Sequence, residues 1–278
     1  MDGQTEHEIS SQELREVVTS AKDTSQLYDR IIRFQNIEHP RWAIVGPHFL
    51  PNEATSLALS YALGPNGLLY SIDPQGGGDE RQSRFASNNA YIVGGSIFLE
   101  KQLLEFKAHG IPLSQFKWLG GGSHFGNIPA EAQEIDGIVD HSGIEFLEAV
   151  TSNDYLINGV RAQISALKSR GIYVYQSEDP NKLIKIFGMP YEQWLTEENL
   201  IVVTHTLSED TVEIKMTEEA LVWLGQHKQE ANGHGNEASQ LGRFVRGDEL
   251  IFEPSEEAIW YPSKYVFVGQ KQAVKHSL

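Results

Sequence analysis

The sequence predicts an α/β fold: a doubly wound, mostly parallel sheet with helices on both faces and a C-terminal antiparallel edge. Three observations predict it. Five short apolar runs, at 42–45, 68–72, 116–119, 135–139 and 172–175, are separated by segments long enough to cross over a sheet. Parallel neighbours need such crossovers, and strands buried on both faces read as unbroken apolar runs. Helical periodicity occupies several of the intervals, and a late run at 265–268 is placed to close the sheet in antiparallel fashion.

Residues 1–40 hold two expected helices, one starting at the Ser10-x-x-Glu13 capping pattern and one over 25–34. Leu27, Ile31, Ile32 and Phe34 need a partner surface, either as a helical cap on the core or as a lid over a pocket. The run at 42–45 stops at Gly46-Pro47, where glycine permits unusual dihedrals and proline ends a ladder. Asn52 then reads as an N-cap. Ala54, Leu57, Ala58, Tyr61 and Ala62 form one helical stripe, which Gly64-Pro65 closes. Asp73 stands at the carboxyl end of the run at 68–72, where α/β sheets place ligand-binding groups.

A helix is expected over 97–108. The run at 116–119 leads into GGGSHFG at 120–126, and the run at 135–139 ends in Asp140-His141-Ser142. An amphipathic helix is expected over 154–170, with Leu156, Ile157, Val160, Ile164 and Leu167 on one face and Gly171 as its stop. The run at 172–175 ends in Ser177-Glu178-Asp179. Short strands at 200–204 and 212–216, joined by a polar turn, precede a polar stretch at 226–242 that reads as a mobile surface loop. Strand signals resume at 245–252 and 265–268. The expected organisation is a helical cap at 1–40, a cofactor-binding core at 41–205, an insertion at 206–262 and a terminal strand at 263–278 returning to the core.

Composition narrows the function. The chain of 278 residues has no cysteine, which removes disulfides, thiolate metal sites and a cysteine nucleophile. Its formal charge of −16 repels phosphate backbones, so nucleic acid is a disfavoured partner and a small molecule a favoured one. No apolar run approaches a membrane span and the N-terminus is polar and acidic, so a soluble cytoplasmic protein is expected, with homo-oligomerisation left open. The ten histidines show no H-E-x-x-H spacing, so no metal is expected. Gly120 to Gly122 is not followed by the Lys-Ser/Thr pair of a nucleoside triphosphate loop. Trp194, Trp223 and Trp260 either line an aromatic pocket or pack in the core.

A glycine-containing loop after the first strand, an acid ending the second, polar loops after the third and fourth and the late strand KYVFVGQK make a pattern. It resembles that of the Rossmann-like class I S-adenosylmethionine-dependent methyltransferases, over roughly 41–177 plus the terminal strand. One glycine, Gly46, stands where such enzymes usually have three. The resemblance implies S-adenosylmethionine as cofactor. Gly46, Pro47 and Phe49 would lie beside its amino-acid portion and Asp73 would accept from the ribose hydroxyls. Asp73 also lies 27 positions beyond Gly46, near the spacing of a ribose-binding βαβ unit. Gly120, Gly121 and Ser123 would flank the adenine. Asp140 and His141 would face the reactive methyl and the acceptor, with His141 as a base titrating near neutrality and Asp140 orienting or replacing it. The bland alternative has Asp140 capping the next segment and His141 on a surface loop. Other functions stay open: aminopropyl transfer, since Gly46-Pro47-x-x-Leu50-Pro51 weakly resembles the loop of nicotianamine synthases; an NAD(P)-dependent oxidoreductase, although G-x-G-x-x-G is absent; and a non-catalytic partner subunit.

Overall fold

The computed structural model describes residues 11–45, 50–72, 104, 107–108, 110–119, 125–141, 143–148, 151–209, 212–215, 245–246, 249–252 and 264–273. Seven strands form the main sheet: β1 (Arg41–Val45), β2 (Leu68–Ile72), β3 (Gln115–Leu119), β4 (Ile135–His141), β5 (Leu167–Ser177), β6 (Leu200–Thr206) and β10 (Tyr265–Lys271). Their order is β3-β2-β1-β4-β5-β10-β6. The ladders among β1 to β5 are parallel, whereas β10 pairs antiparallel with both β5 and β6. The antiparallel strand therefore sits one place in from the edge, and β6 is the outermost strand.

Side chains alternate across this sheet, and each face buries one half of the core. On the first face lie α1 (Ser11–Thr19), α2 (Thr24–Gln35) and α3 (Leu50–Leu63). Leu14, Val18, Leu27, Tyr28, Ile31, Leu57 and Leu59 pack there with Trp42, Ile44, Leu69, Val139, Ile172 and Val174. Burying each such aliphatic side chain contributes about 1.5–3 kcal/mol, enough to hold short helices that would not persist alone. Asp23 caps α2 by accepting from the Gln26 amide, and Gly64, at φ +66°, ends α3 in the left-handed region.

The second face is covered by α5 (Asn153–Ala166), α6 (Pro180–Phe187) and α7 (Tyr191–Glu197), packed on Ala43, Val45, Tyr70, Ile138, Tyr173 and Tyr175. Trp194 belongs to this core, 4.6 Å from Phe187 and stacked on Tyr191. Trp223 and Trp260 lie outside the described residues. Between β4 and α5 runs α4 (Gly143–Leu147).

Several local expectations change. The helix over 154–170 ends at Ala166, because Leu167 is fully buried and pairs with Ile135, which draws the next residues into β5 rather than another turn. Asn52 is not an N-cap: α3 already begins at Leu50, and Pro51 suits a first helical turn. The strands at 200–206 and 212–215 are not partners. β7 (Val212–Lys215) pairs instead with β9 (Glu249–Phe252), which also pairs with β8 (Val245–Arg246), in a separate three-stranded sheet. The single run expected at 245–252 is thus two antiparallel strands. Of the helix expected over 97–108, residues 104 and 107–108 are described and are helical. The loop at 226–242 lies outside the described residues.

Candidate functional site

The sheet order reverses beside β1, since β1 lies between β2 and β4, and α3 and α5 depart to opposite faces. Such a switch point leaves a crevice at the carboxyl ends of the strands. The registers Val45↔Ile72, Ile72↔Leu119 and Val45↔Asp140 bring the carboxyl ends of β1, β2, β3 and β4 level.

Asp140 and His141 are consecutive residues at the end of β4, so their side chains leave on opposite faces. His141 goes to the first face, where its Nδ1 lies 2.8 Å from Thr55 Oγ1 on α3. It is 9% exposed, and burial pushes its imidazole down to about 4. At neutral pH the ring is therefore uncharged. Asp140 goes to the second face and is completely buried. Its Oδ1 accepts from the Gly143 amide at 2.9 Å and its Oδ2 from Gln163 Nε2 at 3.2 Å. Burial outweighs these two bonds and, with the nearby Glu145 carboxylate, pushes the Asp140 carboxyl up to about 7. The ionisation order expected of two free side chains is thus inverted: the acid titrates near neutrality and the imidazole well below it.

Glu145 on α4 is 8% exposed and accepts four bonds. Tyr175 OH donates to Oε2, while Ser177 Oγ at 2.5 Å and the amides of Glu178 at 3.2 Å and Asp179 at 3.4 Å donate to Oε1. Burial raises its carboxyl above the usual range against the pull of these donors. Asp179 in turn caps α6 through the Asn181 amide. Tyr173 and Tyr191, joined hydroxyl to hydroxyl at 3.0 Å, complete the buried polar layer beneath this end of β5.

No family model and no curated protein matches the chain. Among solved structures it is similar to the CurJ carbon methyltransferase, at 15% identity and a TM-score of 0.42 over 90% of this chain and 54% of that one. It is similar also to a SAM-dependent O-methyltransferase from Thermotoga maritima, at 11% identity and 0.45, over 88% and 64%. A third is the plantazolicin methyltransferase BpumL in complex with SAH, at 11% and 0.42, over 93% and 84%. The chain thus spans about half the length of the first and under two thirds of the second.

Of the residues singled out in the sequence, Asp140 and His141 are brought to the switch point, though divided by the sheet. Gly46, Pro47, Phe49, Asp73, Gly120, Gly121 and Ser123 lie outside the described residues, as do Ser142 and His124. Described residues directly before three of them, Val45, Ile72 and Leu119, end their strands level with Asp140. His205 Nε2 meets the Ala21 carbonyl at 2.9 Å, and among the described residues no cluster of three or more His, Asp or Glu could hold a metal.

Sequence reasoning missed Glu145, Thr55 and Gln163. Their partners are distant in the chain, and the one local signal nearby, Asp179-Pro180 as a helix start with Gly188 as its stop, points to α6. A cavity of about 470 Å³ opens at the carboxyl end of β6 between Pro180, Pro190, Tyr191, Tyr265 and Phe267, and no residue predicted for the site lines it. No described helix is long and apolar enough to cross a membrane.

Proposed function

We propose that the chain is an S-adenosylmethionine-dependent transferase that methylates a small-molecule acceptor. The observation that carries this reading is the sheet order. It is the 3-2-1-4-5-6 order of a dinucleotide-binding sheet with one antiparallel strand threaded between the fifth and sixth positions. The late strand was part of the pattern by which the sequence resembles class I methyltransferases, and a nicotinamide-type sheet has no place for it.

The carboxyl groups of Asp140, Glu178 and Asp179, described residues at the crevice's strand ends, suit a cation such as a sulfonium. Val45, Ile72, Leu119, Asp140, His141, Ser177, Glu178 and Asp179, the described residues at those strand ends, include no lysine or arginine. When bound, S-adenosylmethionine supplies an already activated methyl group, so the protein's task is alignment and, where the acceptor carries a proton, its removal. In this reading Gly46, Pro47 and Phe49 hold the amino-acid portion, Asp73 the ribose, and Gly120, Gly121 and Ser123 the adenine. Asp140 and His141 stand on the acceptor side. Asp140, titrating near neutrality, is better suited than His141 to take a proton at pH 7, while His141, neutral and pinned by Thr55, shapes the wall.

Calorimetry with S-adenosylmethionine, S-adenosylhomocysteine and NAD(P)H tests the reading. Heat is expected with the two sulfur nucleosides and not with the nicotinamides. A folded sample that binds neither sulfur nucleoside would sink it, and the mass gained by an acceptor separates methyl from aminopropyl transfer.

A further inference from the structure

We propose that Glu145 is the positioning residue of the acceptor side of this site, tying the short helix after β4 to the turn after β5. The inference rests on the transferase reading above, and its basis is a continuous chain of bonds. The Gly143 amide holds Asp140 Oδ1, and two residues on, Glu145 reaches Tyr175, Ser177 and the amides of Glu178 and Asp179. The helix α4 that carries both has only five residues, far too few to persist by itself. Its placement therefore depends on what grips it: Asp140 at the start, the Glu145 carboxylate in the middle and Ile144, fully buried, on the core side.

The cost of this arrangement points the same way. A carboxylate this deeply buried is expensive unless each lone pair is met, and here four donors meet it. An apolar residue at 145 would leave the Tyr175 and Ser177 hydroxyls, both buried, without their acceptor. Asp140 at the end of β4 and the turn Ser177-Glu178-Asp179 after β5 are thereby joined through α4, by the Asp140 carboxyl at its first residue and the Glu145 carboxyl two residues on. Glu145 touches no reacting atom in this scheme, and it acts through Asp140 and the post-β5 turn.

Glu145 also adds to the upward push that burial gives the Asp140 carboxyl. The groups facing Glu145 are Asp140 from β4, Tyr173 and Tyr175 from β5, Glu178 and Asp179 from the turn and Tyr191 from α7. Glu145→Gln keeps the length and one acceptor while removing the charge, and Glu145→Ala removes both.

The test uses the full chain and needs no known acceptor. Amide hydrogen exchange at Gly143 and Asp179 should quicken at least about tenfold in Glu145→Ala, as a local opening is freed. In Glu145→Gln the carboxyl carbon resonance of Asp140 should titrate at lower pH than in the wild type, because a neighbouring negative charge has gone. S-adenosylhomocysteine affinity in Glu145→Gln should stay within about threefold of wild type. If Glu145→Ala does not fold, Glu145→Gln carries the test alone. Asp140 titrating as in the wild type in Glu145→Gln, or a loss of S-adenosylhomocysteine affinity of about tenfold or more in that folded variant, would overturn the proposal. Absence of binding by the wild type would instead overturn the transferase reading, leaving the exchange and titration results to stand.

Discussion

Thr55 Oγ1 and His141 Nδ1 stand 2.8 Å apart, joining the second turn of α3 to the last residue of β4 across the first face of the sheet. Both are buried, Thr55 at 1% exposure, so neither finds water as a substitute. Thr55→Val keeps the shape and deletes the hydroxyl, leaving Nδ1 unpaired. The expected loss is about 1–2 kcal/mol of unfolding free energy, read as a lower urea midpoint at unchanged slope. Thr55→Ser, which keeps the hydroxyl, should lose less than about 1 kcal/mol.

Asp140 makes stability depend on pH in a direction opposite to the usual carboxylate. Its folded value is raised to about 7 from 3.8, so the folded state holds the proton more tightly and stability falls as pH rises between those values. Asp140→Asn removes that slope. Relative to wild type, the variant should gain stability progressively from pH 4 to pH 7 and hold the gain above it, on the order of 2–4 kcal/mol. Gln163 assists, because its buried Oε1 has no partner and an amide turnover would offer it to the new Asn donor. Denaturation midpoints of the two proteins across this range decide the matter, and parallel curves would contradict it.

His141 supplies the opposing slope. With its folded value lowered to about 4 from 6.5, the unfolded chain binds the extra proton between those values, and stability rises with pH across that window. In the wild type the two slopes largely cancel from pH 4 to 6.5. His141→Gln, neutral throughout and able to meet Thr55, should expose the Asp140 slope, so that this variant loses stability steadily from pH 4 to 7. A variant profile parallel to the wild type's would show that the folded protein binds a proton at His141 as readily as the unfolded chain does.

Gly137 lies beneath the Trp42 ring, and a Cβ there would come within 2.3 Å of the indole. Trp42 is fully buried and its Nε1 donates to Gln35 at 3.1 Å, so the ring has little room to withdraw. Gly137→Ala should cost about 1–3 kcal/mol by overpacking, with loss of the native near-ultraviolet signal of Trp42 as the local readout.

The parts of this molecule visible in its sequence are those set by neighbours in the chain. The apolar runs of β1 and β2 and the Gly64 stop of α3 all follow from local periodicity and turn chemistry. Leu167 did not, since its helical spacing continues the stripe of α5 and only pairing with Ile135 makes it a strand residue. Asp140 and His141 were legible as following the strand at 135–139, but β4 runs on through both, and neither that extension nor their ionisation was legible, because strand pairing and desolvation belong to the assembled core. Glu145 was illegible for the same reason: it sits in an unremarkable GIEFL segment, and its four donors begin 30 residues away.

Asp73 is the sharpest test of the cofactor assignment. It directly follows β2, whose last residue is in register with Val45 of β1, so the acid and Gly46 follow strand ends that are level in the sheet. A carboxylate accepting from two ribose hydroxyls makes charge-assisted bonds, and losing them costs at least ~1.4 kcal/mol, a tenfold change in affinity. Asp73→Ala should therefore weaken S-adenosylhomocysteine binding about tenfold or more by calorimetry. Asp73→Asn keeps one acceptor oxygen and should fall between it and the wild type. Neither variant should alter the unfolding free energy by more than about 0.5 kcal/mol in urea denaturation, as expected of a group that serves a ligand rather than the core. Unchanged affinity in Asp73→Ala would remove the ribose role and, with it, the main sequence-based reason for placing a nucleoside at this end of the sheet.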